Sequence, residues 1–172
     1  HSLVAMSQIE GMRLARQAGI ELFMGIGVFP NPETNETLQW KYDLFKNIER
    51  ITYDPTGHHT PLYEAVSIGI DKLDAVHIKG DVVFEIISDG GDNGYVNPPK
   101  EKVLAKIAQG WHFIFIGEGT AAIRAAEAMG IPQQCRISCK NKQEMIAAQK
   151  EVTRRTKQYL LTGNPLLLTF QG

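Results

Sequence analysis

The sequence has almost no net charge, and this shortage argues against two classes of partner. Its 18 Lys and Arg residues and 19 Asp and Glu residues leave a formal net charge of −1 at pH 7. Such a chain has no positive field to attract nucleic acid or an anionic membrane surface from a distance. It also lacks an apolar run of the roughly 20 residues that a membrane-spanning helix needs. We expect neither a nucleic-acid partner nor a membrane partner.

Cysteine is scarce as well. Cys135 and Cys139 are too few for the disulfide framework of a small secreted protein, and they lie too far apart along one strand for an easy disulfide. The amino end lacks the charged and then apolar order of a signal peptide. We therefore expect reduced thiols and a cytoplasmic protein.

The 172 residues, 43% of them hydrophobic, suffice for one core, so we expect residues 1–172 to form a single domain.

The first half of the chain has the pattern of one helix followed by two strands. Ser2–Ala18 has apolar residues at helical spacing. Ile20–Phe29 and Leu38–Phe45 are strand-like, and the turn-forming residues Pro30–Asn35 lie between them, which predicts an antiparallel hairpin.

The second half alternates between short apolar runs and helical patterns. Thr60 followed by Pro61 is typical of an N-cap and first helical residue. The predicted strands are Val82–Ile87, Trp111–Ile116 and Gln134–Ser138, and the predicted helices are Pro61–Leu73, Pro98–Gln109, Thr120–Met129 and Lys142–Leu161. The apolar run Leu166–Phe170 also has the character of a buried strand, which would pair somewhere in the sheet.

Strands that are apolar on both faces and alternate with helices predict a parallel sheet that is covered on both sides. The predicted fold class is therefore α/β, with a doubly wound, mostly parallel central sheet, one antiparallel hairpin and helices on both faces. Ligands of such sheets bind at the carboxyl ends of the strands, so the loops at that edge are the places to search for a site.

Two of these loops carry specific motifs. Thr60 heads the string Thr-Pro-Leu-Tyr-Glu-Ala, and the Val82–Ile87 strand runs into Ser-Asp-Gly-Gly-Asp-Asn at Ser88–Asn93. In this order and at this separation, the motifs resemble those of von Willebrand factor A domains, closest to the phage and bacterial intracellular members. The resemblance extends to the later strand Trp111–Ile116 and the Ala-rich stretch behind it.

The resemblance implies a protein-binding domain that is not an enzyme. In the family, the residues that match Thr60 and Asp89 hold Mg²⁺, or Mn²⁺ or Ca²⁺, and one coordination position stays open for an acidic side chain of a protein partner. Hydroxyl and carboxylate oxygens are the ligands that such hard cations prefer. We expect the neighbouring residues to contact the partner: His58, His59, Asp92 and Asn93.

One feature departs from the family. Its defining Asp-x-Ser-x-Ser motif, at the end of a central first strand, occurs nowhere in this sequence. The resemblance implies that this strand precedes His1. The alternative is that the protein has lost the motif, and with it a complete metal site.

The main competing interpretation is a nucleotide-binding, Rossmann-like enzyme domain. Gly117-Glu118-Gly119 follows a predicted strand and opens a helix, as in dinucleotide-binding loops. The acidic residue expected at the end of the next strand is missing, however, and Glu118 would repel a pyrophosphate. Neighbouring histidines such as His58 and His59 rarely converge on one metal ion, and no Gly-x-Ser-x-Gly string indicates a hydrolase.

Overall fold

The computed structural model describes residues 23–28, 39–44, 60–76 and 80–170. The helix predicted over Ser2–Ala18 and the turn predicted at Pro30–Asn35 lie outside these ranges. So do His58 and His59.

A three-stranded parallel sheet is the centre of the described structure. Its strands are β3 (Val83–Ser88), β4 (His112–Glu118) and β5 (Arg136–Cys139), in the spatial order β3-β4-β5. The helices around it are α1 (Leu62–Ala75), α2 (Lys100–Ala108), α3 (Gly119–Ala128) and α4 (Lys142–Thr162). The predicted α/β class with a parallel sheet is confirmed.

Helices cover this sheet on both faces. Strand β4 is buried from Phe113 to Gly117, which includes side chains of both faces. Phe113 and Phe115 belong to a core formed with α1, α2 and α3, whereas Ile114 and Ile116 pack against α4. Since α2 and α3 each connect two parallel neighbours that advance in the same direction, crossovers of one hand place both helices on one face.

Helix α1 lies close against β3 and is tied to α2. A Cβ atom on Gly69 would come within 3.1 Å of the Phe84 ring, so the small residue allows this close approach. Two ion pairs connect the helices: Lys102 pairs with Asp71 at 2.9 Å, and the buried Lys106 pairs with Asp74.

The two strands of the first half form a sheet of their own. Strands β1 (Phe23–Val28) and β2 (Gln39–Leu44) pair antiparallel, with Phe23 opposite Leu44 and Val28 opposite Gln39. Neither strand is paired with β3, β4 or β5. A central sheet that contains an antiparallel hairpin is therefore not shown, and the connection between β1 and β2 lies outside the described residues.

The strand predicted at Leu166–Phe170 is wrong. Pro165–Leu168 forms a 3₁₀ helix, which the Asn164 side chain caps by accepting a hydrogen bond from the Leu166 N–H at 3.1 Å. Leu168 and Phe170 are buried against α4. The apolar run therefore covers a face of the sheet instead of extending it.

Within the described residues, no helix combines the length and the apolar composition needed to cross a bilayer.

Gly117 should be essential for the packing of β4 against α3. A Cβ atom at this position would come within 2.6 Å of the Phe115 ring and 2.9 Å of the Ala122 Cβ, and both neighbours are fully buried. We expect Gly117→Ala to lower the free energy of unfolding by about 1–3 kcal/mol in urea titrations, because the overpacked side chain cannot move away. Gly80→Ala is the control, since a Cβ there meets nothing within 4 Å. Equal losses in the two variants would contradict this account.

An ion-pair network joins α4 to the carboxyl-terminal segment. Glu151 accepts hydrogen bonds from Arg154 at 2.7 Å and Arg155 at 2.8 Å, and these bonds lower its pKa to about 2. Arg155 also donates to the Thr169 carbonyl oxygen at 2.6 Å, and its guanidinium lies 4.8 Å from the centre of the Phe170 ring.

The lowered pKa of Glu151 predicts a pH-dependent contribution to stability. A carboxyl whose folded pKa lies below its unfolded value of 4.5 stabilises the protein above pH 4.5, and it loses that effect as the pH falls towards 2. We expect Glu151→Gln to be less stable than wild type in urea at pH 7, and the difference to shrink steadily between pH 4.5 and pH 2. Glu127→Gln, an exposed change on α3, serves as the control. A difference that does not vary with pH would show that the network contributes no charge-dependent stability.

Candidate functional site

The loops that follow the parallel strands leave the sheet at one edge. Ser88 lies opposite Gly117, and Gly117 lies opposite Ser138, so the strands end at nearly the same level. Because carboxyl ends of parallel strands share an edge, the loop after β3 and the start of α3 are neighbours there.

The beginning of α1 joins the same edge through reciprocal hydrogen bonds. The Asn93 side-chain oxygen accepts a hydrogen bond from the Thr60 N–H, and the Asn93 N–H donates to the Thr60 carbonyl oxygen at 3.1 Å. The two residues are 33 positions apart in sequence. The structure thus brings together the two segments that carry the recognised motifs.

Asp92 completes this connection by capping α1. Its carboxylate accepts hydrogen bonds from the Tyr63 N–H at 3.0 Å and the Gly94 N–H at 3.1 Å. A carboxylate is favourable at this end of a helix because the first amides have no partner within the helix. Burial, and after it the charge of Asp92, raises the pKa of Tyr63. We call the hydrogen bonds that Asp92 and Asn93 make with Thr60, Tyr63 and Gly94 the loop clasp.

The beginning of the same loop is held separately. The Ser88 hydroxyl donates to the Gly90 carbonyl oxygen at 2.8 Å and accepts from the Gly90 N–H at 3.3 Å, which forms a tight turn. A Cβ atom on Gly91 would lie 3.1 Å from the Ala121 carbonyl oxygen, so the loop rests on the first turn of α3. The loop from Ser88 to Gly94 is therefore anchored on both sides of Asp89.

Two oxygen-bearing side chains at this edge have no partner in the part of the chain that the structure describes. The exposed Asp89 carboxylate and the Thr60 hydroxyl form no hydrogen bond or ion pair within the described residues. The predicted N-cap role of Thr60 is wrong, because α1 begins at Leu62, its N-cap position is Pro61, and no side chain of that position caps it. Asp92 supplies the cap instead, which leaves the Thr60 hydroxyl available.

The described residues contain no group of three or more His, Cys, Asp or Glu side chains that could hold a metal ion. A site built from one carboxylate, one hydroxyl and water or further oxygen ligands would not form such a group. Thr60 and Asp89 fit a hard cation such as Mg²⁺ by their chemistry, but two protein ligands alone hold such an ion weakly. His58 and His59, the other predicted contact residues, lie outside the described ranges.

The glycine loop of the competing interpretation has a structural explanation. Gly117 is required by its contacts with Phe115 and Ala122, and Gly119 has a φ of +82°, which suits the abrupt change from β4 into α3. Glu118 stands directly before the helix at its N-cap position. Both glycines are thus accounted for by packing and backbone geometry.

Packing also accounts for the two cysteines, since Cys139 is buried in the core and Cys135 is partly buried against it. Both are free, and burial is the first cause that raises the pKa of each thiol. Cys139 is only 3% exposed. A raised pKa keeps a thiol protonated and unreactive at neutral pH.

No family model, no curated protein and no solved structure matches the chain. The von Willebrand factor A assignment therefore stays an expectation that rests on the two motifs and their order.

The different contacts of Asp92 and Asp89 predict unequal effects on stability when each residue is replaced by alanine. Asp92→Ala removes both acceptors of the α1 cap, and we expect it to lower the free energy of unfolding by about 0.5–2 kcal/mol. Asp89→Ala removes an exposed carboxylate without a described partner, so its effect should stay within about 0.5 kcal/mol. Urea unfolding of the two variants tests this, and a larger loss for Asp89→Ala would contradict the assignment.

Proposed function

We propose that this chain is a non-catalytic protein-binding domain that uses a divalent metal site at the carboxyl edge of its parallel sheet. Asp89 and Thr60 are its metal ligands on this chain. The bound ion, Mg²⁺ or a similar hard cation, supplies an open coordination position for an acidic side chain of a protein partner.

One observation carries the proposal. Asp89 is exposed and has no hydrogen-bond or ion-pair partner among the described residues, and its loop is held on both sides by hydrogen bonds or close packing. A carboxylate on a loop that is already ordered is preorganised for a ligand, because binding then costs little conformational entropy. The Thr60 hydroxyl, which has no partner within the described ranges, lies in the segment that the clasp joins to this loop.

The remaining ligands have to come from elsewhere. Mg²⁺ takes about six oxygens and usually keeps several waters. The resemblance assigns further protein oxygens to an Asp-x-Ser-x-Ser motif, which this sequence does not contain. Asp89 contributes negative charge to this site, and Thr60 contributes a neutral oxygen.

An apolar surface next to the loop provides contact area for a partner. Tyr95 is 99% exposed and Val96 is 45% exposed, directly beyond the clasp. An open groove of about 650 Å³ lies beside them, between α1 and residues 96–102. Exposed tyrosines often carry a large share of binding energy at protein interfaces.

Catalysis has less support than binding. Of the described candidates for general acid–base chemistry, His112 is engaged with Tyr159, its Nε2 lying 3.1 Å from the hydroxyl, at the start of β4 and far from the carboxyl edge. The buried Cys139 thiol and the partly buried Cys135 thiol have raised pKa values, and the glycine loop is explained by packing.

The test is calorimetric titration of the full-length protein with Mg²⁺, with and without the Asp89→Asn substitution. The amide keeps the size of the side chain and removes its charge, so we expect at least a tenfold loss of affinity with unchanged folding. Glu127→Gln, which removes an exposed carboxylate from α3, should bind as wild type does. Equal heats for wild type and Asp89→Asn would overturn the metal-binding proposal.

A further inference from the structure

We propose that Asp92 and Asn93 are positioning residues that couple the Asp89 loop to the beginning of α1, and that they do not themselves contact the partner. This inference rests on the proposed function for its effect on metal binding. The coupling itself is a property of the fold and is testable without a metal.

The hydrogen bonds of Asn93 determine both the distance and the orientation of the two segments. Its side-chain oxygen and its backbone N–H bind the N–H and the carbonyl oxygen of the same residue, Thr60. Two bonds in opposite directions fix the relative rotation of the segments as well as their separation. The ring of Pro61 restrains its φ angle, so the orientation of Thr60 limits the direction in which α1 begins.

Asp92 adds a second connection that is charge-assisted. One carboxylate oxygen accepts from the first turn of α1 at Tyr63, and the other accepts from Gly94 in its own loop. Helix α1 has no side-chain cap from its own N-cap residue. Its first turn therefore depends on a loop that lies 29 residues further along the chain.

The same contacts argue against a direct binding role. Both oxygens of the Asp92 carboxylate accept hydrogen bonds inside the protein. The side-chain oxygen of Asn93 accepts one there too, and its backbone N–H donates one. An acceptor that already binds backbone amides must give up those bonds before it meets a partner. Asp89 has no such bonds to any residue that the structure describes, and it is therefore the better placed contact.

Amide hydrogen exchange tests the coupling. Asn93→Ala deletes the acceptor for Thr60 but leaves every other hydrogen-bonding group of the clasp in place. If the two segments are coupled, exchange should rise about two- to tenfold at Tyr63 and at residues 90–94 as well as at Thr60. Asn93→Asp keeps an acceptor oxygen and should restore rates close to those of wild type.

The matched control is Asn141→Ala. Asn141 caps α4 by accepting from the Glu144 N–H at 2.9 Å, so its loss also removes an asparagine acceptor from a helix start. We expect a similar drop in Tm for Asn141→Ala and Asn93→Ala. Only Asn93→Ala should weaken Mg²⁺ binding, by about two- to tenfold, because only that variant loosens Thr60 relative to Asp89.

The outcomes separate this inference from the proposed function. If Asn93→Ala speeds exchange only at Thr60 and leaves residues 90–94 unchanged, the segments are not coupled and the inference is wrong. If wild type binds no Mg²⁺, the proposed function fails while the exchange result still decides the coupling. Should Asn93→Ala not fold, Asp92→Asn serves instead, with faster exchange expected at both Tyr63 and Gly94.

Discussion

Five consecutive residues of β4, from Phe113 to Gly117, are buried, and successive side chains of a strand point to opposite faces of the sheet. Such a strand has to be covered from two sides. Helices α1, α2 and α3 cover one side, and α4 with the carboxyl-terminal segment covers the other. Because both faces of β4 have to be buried, a simple hairpin sheet is excluded and helices pack on both sides of the sheet.

Parallel pairing then determines where a binding site can form. Since β3, β4 and β5 run in the same direction, the loops that follow them leave the sheet at one edge. At this edge Ser88 lies opposite Gly117, and Gly117 lies opposite Ser138. The core supplies the support, and the loop after β3 supplies the exposed group. Four residues of that loop hold its backbone in place: Ser88, Gly91, Asp92 and Asn93. The Asp89 side chain is exposed to solvent.

The sequence was informative where local pattern and burial agree. The runs Val82–Ile87 and Trp111–Ile116 predicted β3 and β4 to within two residues, because a strand buried between two layers of helices favours apolar residues on both of its faces. The same reasoning wrongly predicted a strand at Leu166–Phe170, since a short apolar run has no periodicity that separates a strand from a 3₁₀ helix. The Asn164-Pro165 pair in front of it is the local signal that favours a helical turn.

The clasp shows what local patterns do not reveal. Thr60 before Pro61 is a good local N-cap signal, yet the cap comes from Asp92, because the folded sheet brings a carboxylate to the helix start from 29 residues away. Sequence reasoning placed Thr60, Asp89, Asp92 and Asn93 at one edge, and it had no means to divide them into residues that hold the loop and residues that are free. That division depends on distances across the fold.

A helix whose cap lies in another loop has a thermodynamic consequence. The first turn of α1 and the Ser88–Gly94 loop share the bonds of the clasp, so the free energy of opening either segment includes the loss of those bonds. Any ligand that binds Asp89 only in the ordered loop therefore also stabilises the beginning of α1, and ordering of α1 favours that ligand by the same amount. The binding free energy of a ligand at the exposed Asp89 carboxylate thus also adds to the stability of α1, which packs against β3.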